Sequence, residues 1–592
     1  MDANARSMKA IHRSLLFFPI VMLSLTAGGC NSKSATQPQT AAGPAASNQP
    51  NASAAHPLPP GIDAAAVSSR LHAIADAGTL AGLRWPNFSD YRLHFQHVYD
   101  ASNFAPVWLQ GGQPSAQALG VIQALGTSQL KGLNPEEYDA PRWAERIAGL
   151  KANGVSAETA ADFDAALTVC VMRYISDLHI GRVAPAHFKF GIDIEQKKYD
   201  LPAFVSTKVI HASDVASVLA GVEPPYDGYR HTEAALQQYE QLAAKGDGAP
   251  VPDVAKTVSA GDPYGGSFAL AARLHLLSDL PPDAAPSVDA SKYDAALVDG
   301  VKHFQSRHGL AETGKLDKET IRQLNVPLAD RVVQLDNALE RWRWIPPQFP
   351  QPPIVVNIPE FILRAYSANQ QVALSMNVVV GKAVRTQTPV FAKDMKYIIF
   401  RPYWNVPPSI QRAEIVPSVT KNRAYIGQKG FEVTDSTGRV ITDSTVSDDV
   451  LAQLRSGKLM VRQKPGPTNS LGLAKFIFPN ENNVYLHSTP APQLFSQSRR
   501  DFSHGCVRVE KPAELAAFLL RNQPPWTLEK VEAAIQSGKD NQQVNLATPV
   551  PVLILYVTAV VEADNSVHFF PDIYGHDKEL NAVLEKGPPY PF

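Results

Sequence analysis

Asn483-Val484-Tyr485-Leu486-His487 and, sixteen positions after its histidine, Ser503-His504-Gly505-Cys506-Val507-Arg508 read as two short strands that carry a base and a thiol. A thiol is a nucleophile as its thiolate, and a nearby imidazole is the usual way to make one. Glycine lets the backbone turn tightly and bring N–H groups close to a reacting carbonyl. Strand alternation sets Val484 and Leu486 on one face, Tyr485 and His487 on the other. Cys506 and Arg508 likewise share a face, opposite Val507 and Val509. With the apolar sets in the core, neighbouring strands bring His487 within hydrogen-bond reach of Cys506. A lone cysteine is usually a small buried hydrophobe, and a lone histidine is usually structural. The combination, approached through Arg499, Arg500, Asp501 and Ser503, points instead to acyl transfer through a thioester. Cys506 is then the nucleophile, His487 the base, and backbone N–H groups around Gly505 and Cys506 the oxyanion donors.

His487, fifteen residues, then Ser-His-Gly-Cys-x-Arg resembles the signature of the L,D-transpeptidase catalytic domain (the YkuD type). The runs Pro402-Tyr403-Trp404-Asn405-Val406-Pro407-Pro408-Ser409-Ile410, Arg462-Gln463-Lys464-Pro465-Gly466-Pro467 and Leu471-Gly472 resemble segments of the long, multi-domain YcbB-type members. The likeness extends, with interruptions, from about Tyr99 to the C-terminus. It implies an enzyme that takes tetrapeptide stems of peptidoglycan, releases the terminal D-alanine and joins the acyl group to the side-chain amine of a diamino acid on a second stem. That makes a 3→3 crosslink; the spacing of the residues implies acyl transfer only. The resemblance also implies that the Ser488 carbonyl orients the imidazole and that a carbapenem acylates Cys506. His504 is assigned to the donor-site wall or oxyanion region. The competing assignment of His504 as base is disfavoured, because positions two apart in a chain do not usually aim side chains at each other. Ser503, Arg508, Tyr485 and Trp404 are assigned to substrate binding, Arg508 to a stem carboxylate; the plainer readings are a salt-bridged surface Arg and core aromatics. Thioester chemistry needs no cofactor and no metal. Two alternatives stand beside this reading: an L,D-carboxypeptidase or crosslink hydrolase using the same site, and a non-catalytic wall-binding lipoprotein.

A chain of 592 residues predicts several domains, since single cores rarely grow past about 250–300 residues. Its 55 basic and 56 acidic residues nearly cancel, which leaves no electrostatic footprint for nucleic acid. At the N-terminus Lys9 and Arg13 precede the apolar run Leu15 to Leu25, too short for a membrane span, and Thr26-Ala27-Gly28-Gly29-Cys30 resembles a lipobox. The expectation is a lipoprotein signal at 1–30 with Cys30 lipidated, set against ordinary signal-peptidase cleavage. Asn31 in place of Asp favours the outer membrane, so the expected location is the periplasm beneath an outer-membrane lipid anchor. Residues 31–60, rich in Ala, Ser, Gln, Asn and Pro, read as a flexible tether with a reach of roughly 30 Å. Of the three cysteines, Cys30 is used or removed and Cys170 lies in an apolar run. That leaves Cys506 as a free thiol in an oxidising compartment, where an unpaired cysteine is rare without a reason.

The predicted fold class is α+β and multi-domain. Residues 61–285 form a helical scaffold, with Asp162 to Leu178 amphipathic at helical spacing and a second helix from about Thr232 to Ala244. Residues 286–327 form a compact unit whose Phe304-Gln305…Gly309-Leu310…Gly314…Thr320…Leu324-Asn325 spacing resembles a three-helix peptidoglycan-binding domain. Thr313-Gly314 stands where that family commonly has Asp-Gly. A connecting helix occupies 328–350, and a mainly β catalytic domain 351–535. Its stretch 409–462 resembles the insertion that forms a lid in YcbB-type proteins. Residues 536–592 are a strand extension, with Val552 to Val561 and His568 to Tyr574 a hairpin closing the sheet. Peptidoglycan stems are the expected partners, as donor and acceptor, together with wall-synthesis proteins.

Overall fold

The computed structural model describes residues 58–152, 155–281, 292–384 and 386–591. The signal at 1–30, Cys30 and nearly all of the tether lie outside the described residues. The rest is a helical N-terminal region, a helical module and a β-rich C-terminal domain.

The amphipathic repeat read from Asp162 to Leu178 belongs to a longer helix, Ala157–Ile180, the spine of the scaffold. The Ser156 side chain caps its first turn by accepting from the Thr159 N–H, and Gly181, at φ 84°, ends it. Cys170 is buried on its core face, and burial pushes its thiol up to about 12. Where the scaffold meets the connecting helix Leu328–Trp342, fully buried Glu340 accepts from the Arg182 and Val183 N–H groups at 2.6 and 3.1 Å and from Arg182 Nε at 3.2 Å. One carboxylate thereby satisfies the orphan donors of the turn after the spine helix.

The module consists of helices Ser267–Leu276, Ala295–Arg307 and Lys318–Leu324 around Leu274, Leu297, Phe304 and Leu324. Its first helix precedes residue 286, where the unit begins in the sequence reading. Gly309, at φ 63°, follows the second helix as a left-handed residue. The C-terminal hairpin differs from expectation. Ala559–Val561 and Val567–Phe569 form their own two-stranded sheet and pack into the module's core instead of closing the C-terminal domain's sheet. Asn357 holds the chain at the point of departure: its side chain accepts from the Val557 N–H at 2.9 Å and donates to the Val557 carbonyl at 3.0 Å, just after the last sheet strand.

The C-terminal sheet runs Asp501–Ser503, Val372–Gly381, Val507–Val509, Leu486–His487, Ala474–Ile477, Phe391–Phe400, Gln542–Leu555, Ile354–Asn357, Ile362–Tyr366. The last strand pairs back onto Val372–Gly381, so eight of the strands close into a ring, with Asp501–Ser503 attached outside it along the end of Val372–Gly381. Ala474, Phe476, Leu486, Val507 and Val509 enter one core with Leu515 and Leu520 of the helix Pro512–Leu520. The insertion 409–462 is a small domain with its own core of Val419, Ile426, Val433 and Leu454. Its sheet runs Trp404–Asn405, Met460–Gln463, Phe431–Thr434, Val440–Thr442, so that Met460–Gln463 alone pairs with Trp404–Asn405 at the root.

Candidate active site

Three adjacent strands build the site. Leu486–His487 lies between Val507–Val509, parallel to it, and Ala474–Ile477, antiparallel. His487 stands opposite Arg508 on one side and Lys475 on the other. Because Leu486, Val507 and Phe476 fill the core, the intervening residues project from the opposite face. Lys475, Tyr485, His487, Cys506 and Arg508 therefore share one face. The predicted alternation holds on both signature strands. The run read from Asn483 is strand only at Leu486–His487. Asn483 is left-handed, at φ 53°, and the Asn480 side chain bonds Val484 at both its N–H and its carbonyl.

The thiol is level with Tyr485 rather than His487. Cys506 Sγ lies 3.8 Å from the Asn483 carbonyl, and the Tyr485 amide and hydroxyl both act on it as donors. Among the described residues no hydrogen bond joins Cys506 to His487. Burial raises the thiol above its ordinary range, opposed by Tyr485, Lys475 and Arg508. The sulfur is half-buried, open enough to meet a substrate.

The imidazole is held from behind. His487 Nδ1 lies 2.5 Å from the Ser488 carbonyl, which can only accept, so Nδ1 carries the hydrogen and Nε2 keeps its lone pair. The ring is buried, and burial, then Arg508 and Lys475, bring it down to about 3, against the pull of the Ser488 and Leu471 carbonyls. The ring is therefore a neutral imidazole, not half of a standing thiolate–imidazolium pair.

The loop before the cysteine is also built. Gly505 takes φ 112°, and a Cβ there would make only ordinary contacts, with the Gln387 and Thr386 carbonyls at 3.7 and 3.8 Å, so the backbone angle alone demands glycine. Ser503, expected to bind substrate, is buried instead. Its hydroxyl donates to the Cys506 carbonyl at 2.5 Å and accepts from the Gly505 N–H at 3.1 Å. The Gly505 N–H is thus already engaged, and the Cys506 N–H is the donor without a partner among the described residues. Thr388 Oγ1 donates to the Gly505 carbonyl at 2.8 Å, and the Tyr574 hydroxyl donates to the Gly381 carbonyl at 2.5 Å, bracing the loop from the C-terminal segment.

His504, assigned by sequence to the donor-site wall or oxyanion region, makes its side-chain contact with the inserted domain. Its Nε2 lies 2.8 Å from Glu414 Oε1 of the inserted domain, an exposed contact between the signature loop and the lid. Trp404 packs at a tilt against Phe431 at the root of the inserted domain, ring centroids 6.2 Å apart, and donates its indole N–H to the Tyr485 hydroxyl. Arg508 is paired with no carboxylate among the described residues, and its Nε is buried without a partner. Sequence reasoning missed Lys475, whose Nζ sits 3.8 Å from the centroid of the Tyr485 ring. A lysine alternating with Ala474 and Phe476 in a buried strand was the available signal. No group of three His, Cys, Asp or Glu among the described residues is arranged to hold a metal ion.

Family models match three stretches of the chain. Residues 94–236 match a "Scaffold domain", 270–324 a "Putative peptidoglycan binding domain" and 351–552 an "L,D-transpeptidase catalytic domain". A protein of Haemophilus influenzae named "Putative L,D-transpeptidase" is 32% identical over 230 residues, which cover 39% of this chain and 45% of that protein. The chain thus aligns with less than half the length of this curated relative.

Proposed function

We propose, from the premise that residues 351–552 form an L,D-transpeptidase catalytic domain, that the protein crosslinks peptidoglycan stems through a Cys506 thioester. The observation that carries the reading is the grouping of Cys506, Tyr485, His487, Arg508 and Lys475 on one sheet face, with a half-buried thiol and an oriented neutral imidazole.

In the first half-reaction the thiol turns from the Asn483 carbonyl and gives its proton to His487 Nε2. The thiolate adds to the carbonyl before the terminal D-alanine of a tetrapeptide stem. The Cys506 N–H stands as the oxyanion donor; losing one such donor typically costs about 2.7–4 kcal/mol of transition-state stabilisation. The C–N bond breaks and His487 returns the proton to the departing amine. In the second half-reaction the side-chain amine of a diamino acid on another stem attacks the thioester. His487 takes the amine proton and Cys506 leaves as the thiol, giving a 3→3 crosslink. The module at 270–324 would hold the enzyme near its polymer. The signal-like N-terminus supports a periplasmic location with an outer-membrane lipid anchor.

The test is incubation with purified disaccharide-tetrapeptide and measurement of product masses, with Cys506→Ala as control. The expected product has the mass of two monomers minus one D-alanine and is absent from the control. Monomeric tripeptide alone would make water the acceptor and the protein an L,D-carboxypeptidase. A crosslinked product formed by Cys506→Ala would refute the thioester.

A further inference from the structure

Two cations flank the nucleophile without acidic partners among the described residues. Arg508 lies on the strand that follows Cys506, and Lys475 lies across the intervening strand, in register with His487. Neither makes a salt bridge, whereas many arginines elsewhere in the chain do. Lys475 and Arg508 are half-buried, and withdrawing a charge from water with no partner is costly, so two such cations on one face imply that a negative charge meets them in the working cycle. The attractive charge acting on each is the Cys506 sulfur. Lys475 is also held in place. Its ammonium rests over the face of the Tyr485 ring, a contact that favours the charged form, while the Tyr485 hydroxyl faces the sulfur and is itself fixed by the Trp404 indole.

We propose that Lys475 is a positioning residue for the nucleophile: with Arg508 it supplies the counter-charge of the Cys506 thiolate at the moment His487 removes the proton. The proposal rests on Cys506 being the nucleophile. The groups facing the sulfur are Lys475, Tyr485, His487 and Arg508. The first and last attract its negative charge, Tyr485 donates to it, and His487 is neutral until it takes the thiol proton. The same two cations oppose a charge on the imidazole. They therefore lower the cost of the thiolate without holding His487 permanently protonated. The site rests as thiol and imidazole and becomes thiolate and imidazolium only as the carbonyl is attacked. The S–H bond breaks, the proton moves to Nε2, and the electron pair stays on sulfur for the new S–C bond.

The test is the rate of iodoacetamide alkylation of Cys506 in the full protein, followed from pH 6 to 10.5 on the Cys506 peptide by mass spectrometry. Lys475→Met removes the charge and keeps the stem, and Lys475→Arg restores a cation. With Met the profile should move to higher pH by roughly one unit, which is about tenfold slower alkylation below the transition. The gap should close on the alkaline limb, where the sulfur is ionised in both proteins. Lys475→Arg should recover most of the neutral-pH rate. Superimposed wild-type and Met profiles would overturn the proposal. So would a uniform loss at every pH, which would mean a change of access rather than of charge. Turnover by Cys506→Ala would instead refute the nucleophile assignment, and it would do so without altering the alkylation result.

Discussion

Replacing Gly472 by alanine tests whether the carbonyl after His487 governs catalysis. Gly472 sits at φ 62°, and a Cβ built there meets the Thr489 nitrogen at 2.6 Å and the Ser488 carbonyl carbon at 2.7 Å. The Cβ also meets the Ser488 hydroxyl, which can rotate aside, but these two are backbone atoms and cannot. Reaching an ordinary contact near 3.4 Å requires the Ser488–Thr489 peptide to move by about 0.8 Å. That peptide carries the oxygen that holds His487 Nδ1 at 2.5 Å. Adjacent Leu471 supplies the second carbonyl acting on the ring. Two effects follow. Alanine in the left-handed region costs about 1–2 kcal/mol, and the forced shift adds about 1–3 kcal/mol of overpacking. An imidazole displaced by nearly 1 Å loses on the order of a hundredfold in rate. The assay is kcat for dimer formation from disaccharide-tetrapeptide, beside alkylation of Cys506 at pH 9.5, which needs no base. Turnover should fall about a hundredfold and alkylation severalfold at most. Full turnover by Gly472→Ala would refute the claim that the Ser488 carbonyl aims the base.

Four further outcomes are expected. His487→Ala should lose far more rate than His504→Ala, because the His504 side chain makes its contact with Glu414 of the inserted domain; the reverse order, read from product masses over time, would exchange their roles. Glu414→Gln should change thermal stability by less than about 1 kcal/mol, because the His504 pair is exposed; a large drop in melting temperature would show that the lid is held chiefly through this contact. Glu340→Ala leaves Arg343 without its buried carboxylate and Arg182 with only Glu137, at 3.6 Å, and should destabilise the fold by about 3–5 kcal/mol, read by urea denaturation. Burial and nearby Glu137 push the Asp177 carboxyl, which accepts from the Tyr138 hydroxyl at 2.7 Å, up to about 8. The folded state then binds the extra proton, so this group's contribution is complete below pH 4 and is lost as pH rises through 8; Asp177→Asn should raise the melting temperature at pH 9 relative to pH 5, and a pH-independent effect would contradict the shift.

Much of the architecture is written in local pattern. The helical repeat around Cys170 locates the spine helix, and Ser156 and Gly181 mark its ends. The two-residue alternation in Tyr485-Leu486-His487 and Cys506-Val507-Arg508 assigns core and cleft faces, because a strand's side chains have no other choice. What could not be read is whatever depends on which segments become neighbours. The hairpin at 559–569 left the catalytic sheet at the point where Asn357, some 200 positions earlier, holds the chain at Val557. Ser503 lost its expected role because a tight turn claims its hydroxyl.

The chemistry of the site, a thiol and an imidazole framed by glycine, was determined by the sequence alone, since residue identity and strand period are local properties. Their relative placement was decided only by the tertiary structure. The closed ring sets the register that puts His487 between Lys475 and Arg508 and Cys506 beside Tyr485. It also brings Thr388, backed by Tyr574, and Glu414 to the signature loop from far along the chain. Register is an energy minimum over the whole sheet, reached when every apolar face is buried together, and no single strand contains that information.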